Sequence, residues 1–437
     1  SRYTNTAPQV KTNYTNGERR IMMWVPVNAK DSNGWPRSAM PSGRFESECF
    51  TMWSYIDNYS DWSCSISQLY GGFADVAHKN GVGVAGMLWV DFGSPSAAQQ
   101  VTLKGYSEMD PAMAAKVLRY FGNDGLTYNS EFSTYNRNTF TPTMLKTLMG
   151  TVHENIMSNL TTLYNNTPNV SNYTLRENIW YDGTQYATAA YNFDGGLTPR
   201  NVDGWYSSDG KYRSSLFFNY NWNSTNLKPS SKYASRGDVT RLYAGINMQG
   251  GSAGLTHWQN FDASPVGLGL WGAHDYNYFW NARGDKGGRP EVIQECYQLT
   301  LENYFTGSSF NPLSAPTALA SYSQAKFNNV GFHGLARYRS AASAMSWDLG
   351  YEPFITNFNV GNGKFFNYEG KRMNDIEWYN IGVQDYMPTW RWWWATSFIG
   401  KTAATGMTAA FSWDDAYLGG SCLSITGSTS SNQYLHL

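Results

Sequence analysis

With 437 residues, 41% of them hydrophobic, the chain is long enough to bury a large core and exceeds one ordinary domain. Charged residues make up only 15% and the formal net charge is −1, which excludes the basic footprint that a nucleic-acid backbone requires. Aromatics reach 16%, with 18 Trp and 31 Tyr, more flat faces with polar tips than a core consumes.

Such a charge-poor, aromatic-rich surface suits neutral carbohydrate, whose C–H faces stack and whose hydroxyls hydrogen-bond. Cross-strand aromatic pairs in a β-rich protein are the plainer alternative. No apolar run approaches membrane-spanning length. The four cysteines are scattered without a CxxC pair and the six histidines are dispersed, so no metal and no cofactor is implied. The polar opening stretch 1–18 reads as the leader of a mature exported protein, giving a secreted or cell-surface expectation.

From residue 19 onward, short apolar or β-branched runs alternate with helix-like segments, the pattern of βα units. Strands are expected at 21–27, 55–62, 82–90, 125–131, 178–183, 215–222, 241–247 and 266–272. Helices are expected at 67–80, 110–122, 141–166 and 289–305, with Asn80-Gly81 as a stop and Pro142 and Pro290 near helix starts. Eight such units over 19–310 have the size of a (β/α)8 TIM barrel, whose chemistry sits at the C-terminal ends of its strands. Beyond about 310 the texture turns to loops and aromatic strand-like pieces, so 311–437 is expected to hold a linker and an all-β, sandwich-like module, partly present.

The informative segment is Asp124-Gly125-Leu126-Thr127-Tyr128-Asn129-Ser130-Glu131, at the end of the fourth strand. Side chains alternate along a strand, so Asn129 and Glu131 share a face and are expected at the barrel mouth. An amide and a carboxylic acid two residues apart are what substrate-assisted cleavage of an N-acetylglucosaminide needs. The sugar's own 2-acetamido oxygen attacks the anomeric carbon, so no carboxylate nucleophile is required. Asn129 would orient the acetamido group and Glu131 would protonate the departing oxygen.

These residues carry a resemblance. DGLTYNSE at 124–131 resembles the strand-four motif of glycoside hydrolase family 85, itself similar to the DGxDxDxE of family 18 with Asn for the last Asp. YIDNYSDWS (55–63), HKNGVGVAGMLWVDF (78–92), NIWYDGT (178–184), FFNYNW (217–222), RLYAGINMQGG (241–251) and the late ITNFNVGNGKFF and DAYLGGSCLSITG stretches also resemble that family, in order. Thr127 and Tyr128 are less apolar than the family's usual residues, and Asp91 stands where it carries Glu. The resemblance implies an endo-β-N-acetylglucosaminidase cutting the chitobiose core of N-glycans, with no nucleic-acid partner and no membrane-spanning segment. Another N-acetylhexosaminide, or a glycan-binding barrel without catalysis, remains an alternative.

The resemblance makes Tyr181 the tyrosine that hydrogen-bonds the acetamido group, so Asn129, Glu131 and Tyr181 form the expected catalytic set. Asp91, Trp180, Asn219, Asn221, Trp222, His274 and Asp275 form the expected substrate-binding set. Asn219 and Asn221 share one face, expected inside, with Trp222 reachable at the strand end. For Asp91, His274 and Asp275, ordinary loop hydrogen bonding is the alternative to sugar binding. Three other motifs fall away. Gly250–Gly254 has GxSxG form without a following helix, Gly400-Lys401-Thr402 lacks the upstream glycine of a phosphate loop, and His153-Glu154 has no second His at zincin spacing.

Overall fold

A strand walled by side chains on its inner face and by helices on its outer face must be apolar on both, and Ile21–Val25 is buried at all five positions. The computed structural model describes residues 17–25, 45, 47, 49–62, 68–69, 71–90, 96–130, 142–168, 177–182, 197, 202–206, 209–220, 222, 227, 237–247, 261–272, 289–306, 334–339, 355–387, 390, 392–399 and 406–437. The chain divides into two compact units, 1–29 with 56–273, and 30–55 with 274–437.

The first unit is a closed barrel of eight strands in sequential order, with each strand pair parallel. The strands are β1 Ile21–Val25, β2 Asn58–Asp61, β3 Gly83–Val90, β4 Leu126–Ser130, β5 Ile179–Asp182, β6 Ser215–Phe218, β7 Leu242–Asn247 and β8 Gly267–Trp271. Each falls inside a run expected from the sequence, as the (β/α)8 reading requires. The connecting helices include α1 Gly71–Lys79, α2 Ser96–Ser107, α3 Pro111–Phe121, α4 Pro142–Thr147, α5 His153–Asn165 and the short α6 Val202–Trp205. Asp110 caps α3, its carboxylate accepting from the Ala112 and Met113 amides, and Gly122 ends the helix at φ 77°. A π-helical turn, Leu148–Val152, joins α4 to α5.

Parallel strands leave their first amides without partners, and this barrel fills several of them with a side chain from the entry of the next strand. Asp57 accepts from Ile21 N at 2.9 Å, Asp124 from Val84 N at 2.8 Å, and Asn178 from Leu126 N at 2.9 Å. Gly125 follows from the same close approach, because a Cβ there would lie 1.9 Å from the Glu177 carbonyl oxygen. The Asp-Gly of the fourth strand is therefore a packing requirement. Higher in the lumen, Phe217 occupies space that Gly269 leaves open, where a Cβ would come within 2.4 Å of its ring.

At the N-terminal end of the barrel Glu177 is fully buried. It pairs with Arg20 at 3.1 Å and Arg241 at 3.2 Å, and accepts from Tyr243 at 2.8 Å and from Ser215. Removing one partner from a buried ionic group leaves the others uncompensated. Glu177→Ala is therefore expected to lower unfolding stability by about 3–5 kcal/mol, measured by chemical denaturation. A loss below about 1 kcal/mol, the worth of a surface pair, would show that the group does not act as a buried network.

The second unit contains α7, Pro290–Thr306, and two-stranded antiparallel pieces. The strands are β9 Asn362–Gly363, β10 Phe366–Tyr368, β11 Lys371–Asn374, β12 Trp378–Tyr379, β13 Trp393–Ala395, β14 Met407–Ser412, β15 Cys422–Gly427 and β16 Tyr434–His436, pairing as β10–β11, β9–β12, β13–β16 and β14–β15. Buried amides hold its parts together. Gln384 donates to Phe50 O and Val360 O and accepts from the Trp53 indole, and Gln298 donates to Cys49 O and accepts from Thr51. Among the described residues, no helix is long and apolar enough to cross a membrane.

Candidate active site

The lumen is lined by Met22, Trp24, Met87, Ile179, Tyr181, Phe217 and Tyr243, with Trp62, Tyr220 and Trp271 packed against them. Alternation then fixes which side chains reach the C-terminal mouth, where a barrel's chemistry is built. Asn129 lies between Trp89 of β3 and Tyr181 of β5 in the strand register. Three neighbouring strands thus place an indole, an amide and a phenol in one row. Trp89 is 39% exposed, Tyr181 6% and Asn129 1%, so the row runs from solvent into the wall.

The Asn129 Oδ1 atom is buried and accepts no hydrogen bond from any described residue. A buried acceptor left in that state costs about 1–3 kcal/mol, a cost that a ligand N–H would offset. The Trp24 indole N–H is likewise buried and unpartnered among the described residues. Around them the aromatic rings meet edge to face, except for the tilted Trp62–Trp89 pair. Trp24 lies 4.9 Å from Trp62, 5.7 Å from Trp271 and 5.7 Å from Tyr181, and Trp62 lies 4.3 Å from Trp271 and 4.8 Å from Trp89. Among the described residues this mouth offers aromatic faces, an unpaired amide oxygen and an indole donor, which fits a neutral sugar ring carrying an amide.

Behind the row, on the outer face of the wall, stand Tyr106, Tyr128 and Trp180. Burial pushes the Tyr106 phenol up to about 12 and raises that of Tyr128 well above its ordinary value, so both stay protonated and can act only as neutral donors or acceptors. Trp180, expected among the substrate-binding residues, is fully buried on this outer face, its ring 4.8 Å from Tyr128. It pairs with Tyr128 while Tyr181 pairs with Asn129, so alternation carries Trp180 away from the lumen.

Other expected residues separate. Strand β6 ends at Phe218, so alternation cannot be carried past it. Asn219 is half-buried and its Oδ1 accepts from the adjoining Tyr220 amide at 2.7 Å. Trp222 is 1% exposed and donates to Gly245 O at 2.7 Å. It is Tyr220 that packs on the lumen cluster, 6.3 Å from Tyr181. Glu131, Asp91, Asn221, His274 and Asp275 lie outside the described residues. Trp24, Trp62, Trp89 and Trp271 were not singled out in the sequence; their signal was a Trp within one residue of the C-terminal end of four barrel strands.

Comparison with known proteins follows from this geometry. The family model described as Glycosyl hydrolase family 85 matches residues 32–366. No curated protein matches the chain. Among solved structures, the glycoside hydrolase domain of Endo-D from Streptococcus pneumoniae R6 superposes with a TM-score of 0.67 at 20% identity, covering 95% of this chain. At that identity the likeness establishes the fold, and this chain spans 60% of that one's length. The family match covers most of the chain, including β2 to β8 and both Asn129 and Glu131, and on that match the chain belongs to glycosyl hydrolase family 85.

Proposed function

We propose that the protein is an endo-β-N-acetylglucosaminidase that cleaves the GlcNAc-β1,4-GlcNAc core of N-glycans by substrate assistance, with retention at the anomeric carbon. The observation that carries this reading is the buried Oδ1 of Asn129, without a hydrogen-bond partner among the described residues, in the row between Trp89 and Tyr181. An acetamido N–H is the ligand group that suits it. As the acetamido oxygen attacks the anomeric carbon, positive charge develops on the amide, and an acceptor already aimed at its N–H stabilises that charge without reorganisation.

In the first step the C–O bond to the reducing-side sugar breaks, and Glu131 gives its proton to the leaving oxygen. In the second, water adds to the anomeric carbon of the oxazolinium ion, the ring C–O bond to that carbon breaks to restore the acetamido group, and the Glu131 carboxylate takes a proton from the water, so the acid is restored. Tyr181, one strand away from Asn129, supports the acetamido oxygen during closure. The aromatic rings at the mouth exclude water and present faces to the sugar C–H bonds.

Incubation with a high-mannose glycoprotein, read by mass spectrometry, tests the reading. A released glycan with one N-acetylglucosamine left on the protein supports it. Glycan binding without cleavage, or release of a glycan with both core sugars, contradicts it. Tyr181→Phe is expected to lower kcat on the order of 10²-fold, the usual worth of one positioned donor, with a smaller change in KM. Unchanged kcat in the folded variant would reduce Tyr181 to lumen packing.

A further inference from the structure

Directly behind Asn129 lies a polar chain that the proposed reaction does not use. Tyr128 is fully buried, its hydroxyl 2.9 Å from Nε2 of His153, and Nδ1 of the same ring is 2.7 Å from the Ser214 hydroxyl. These three residues belong to β4, to the first position of α5 and to the entry of β6. The π-helical turn Leu148–Val152 comes immediately before His153. Such turns occur frequently at functional sites, where the extra residue re-aims the side chains that follow.

His153 is also fully buried, and burial lowers its pKa to about 3. The ring is therefore neutral in ordinary conditions, one nitrogen donating and the other accepting, and it ties its two partners into one directed chain. The Tyr128 ring is held as well, with Trp180 at 4.8 Å and Tyr106 at 5.8 Å. Tyr106 donates to the Trp89 carbonyl at 2.8 Å. The outer trio of Tyr106, Tyr128 and Trp180 thus backs the inner trio of Trp89, Asn129 and Tyr181, Tyr106 through its bond to the Trp89 carbonyl and Tyr128 and Trp180 as the chain neighbours of Asn129 and Tyr181.

We infer that the Tyr128–His153–Ser214 chain is a positioning device for the reaction, fixing the height and rotation of β4 so that Asn129 meets the substrate amide. This rests on the role proposed above for Asn129. A misplacement of about 1 Å at a reacting group can cost on the order of 10²-fold in rate, and Tyr128 is the covalent neighbour through which such a shift would pass. None of the three touches the lumen row with its polar atoms, so they are positioning residues.

The test is Tyr128→Phe, which keeps the ring and removes the hydroxyl, measured on an N-glycopeptide alone and in an Asn129→Ala background. Long incubations read by mass spectrometry keep the residual turnover of Asn129→Ala measurable. The expected result is a fall in kcat of about tenfold to a hundredfold with KM within about twofold. In Asn129→Ala the same change should cost nothing further, because the residue it acts through is gone. Ser214→Ala should act in the same direction, and it serves as the test if Tyr128→Phe does not fold. His153→Gln, which keeps a donor and an acceptor, should recover part of the rate lost in His153→Leu. A folded Tyr128→Phe with lowered Tm and unchanged kcat would overturn the inference, as would an equal loss in both backgrounds. Unchanged turnover of Asn129→Ala by itself would overturn the role of Asn129 and the inference with it, a result distinct from failure of the Tyr128 variant alone.

Discussion

Glu131→Gln is expected to lower hydrolysis of intact N-glycans by roughly two to four orders of magnitude, the usual worth of general acid–base catalysis. The amide preserves shape and hydrogen bonding but cannot give a proton to the leaving sugar oxygen, whose departure as an alkoxide is the costly part of the first step. It also cannot take a proton from water in the second. Binding should survive, because the aromatic faces of Trp62, Trp89 and Trp271 and the amide of Asn129 are untouched. Steady-state kinetics with a labelled glycan, and glycan binding by calorimetry, separate the two effects. Near-normal kcat in a folded Glu131→Gln protein would remove Glu131 from the mechanism.

Asn129→Ala should be nearly as damaging for a different reason. The acetamido oxygen must lie in line with the bond it displaces, and holding that geometry is where much of the rate of an intramolecular attack arises. Loss of one preorganised partner to a developing charge costs on the order of 10² to 10³ in kcat. The fold should tolerate the change, because Asn129 Oδ1 makes no hydrogen bond with any described residue, so truncation breaks no network. A stable, folded and hydrolytically weak protein is the expected phenotype. A variant that loses several kcal/mol of stability along with activity would point to a structural amide.

The barrel was legible because its strands are continuous apolar runs closed by turn residues, and βα alternation leaves few topologies to choose among. Asn129 was legible for the same reason, since alternation from a buried strand decides which face it joins. The reading weakened where local pattern stops deciding position. Beyond Phe218 the strand has ended, so the face of Asn219, Tyr220 and Trp222 is set by the following turn, and Tyr220 packs on the lumen cluster while Trp222 is buried against Gly245. Trp180, expected to bind substrate, neighbours Tyr181 in a strand where successive side chains face opposite ways, and it lies on the outer face. The Trp24–Trp62–Trp271 contacts depend on closure of β1 against β8, a long-range event that no window of sequence records. The grouping of 30–55 with 274–437 depends likewise on buried amides such as Gln298 and Gln384.

The most direct test of substrate assistance separates making the oxazoline from consuming it. The folded Asn129→Ala protein is supplied with a preformed glycan oxazoline and an N-acetylglucosaminyl peptide, and product is followed over time beside a parallel reaction on intact N-glycopeptide. With Glu131 present as base and the acetamido ring already closed, the account predicts transfer of the glycan to the peptide and little later hydrolysis of that product. Sustained hydrolysis of intact N-glycan by this variant, or equal loss of both activities in a protein shown to be folded, would contradict it.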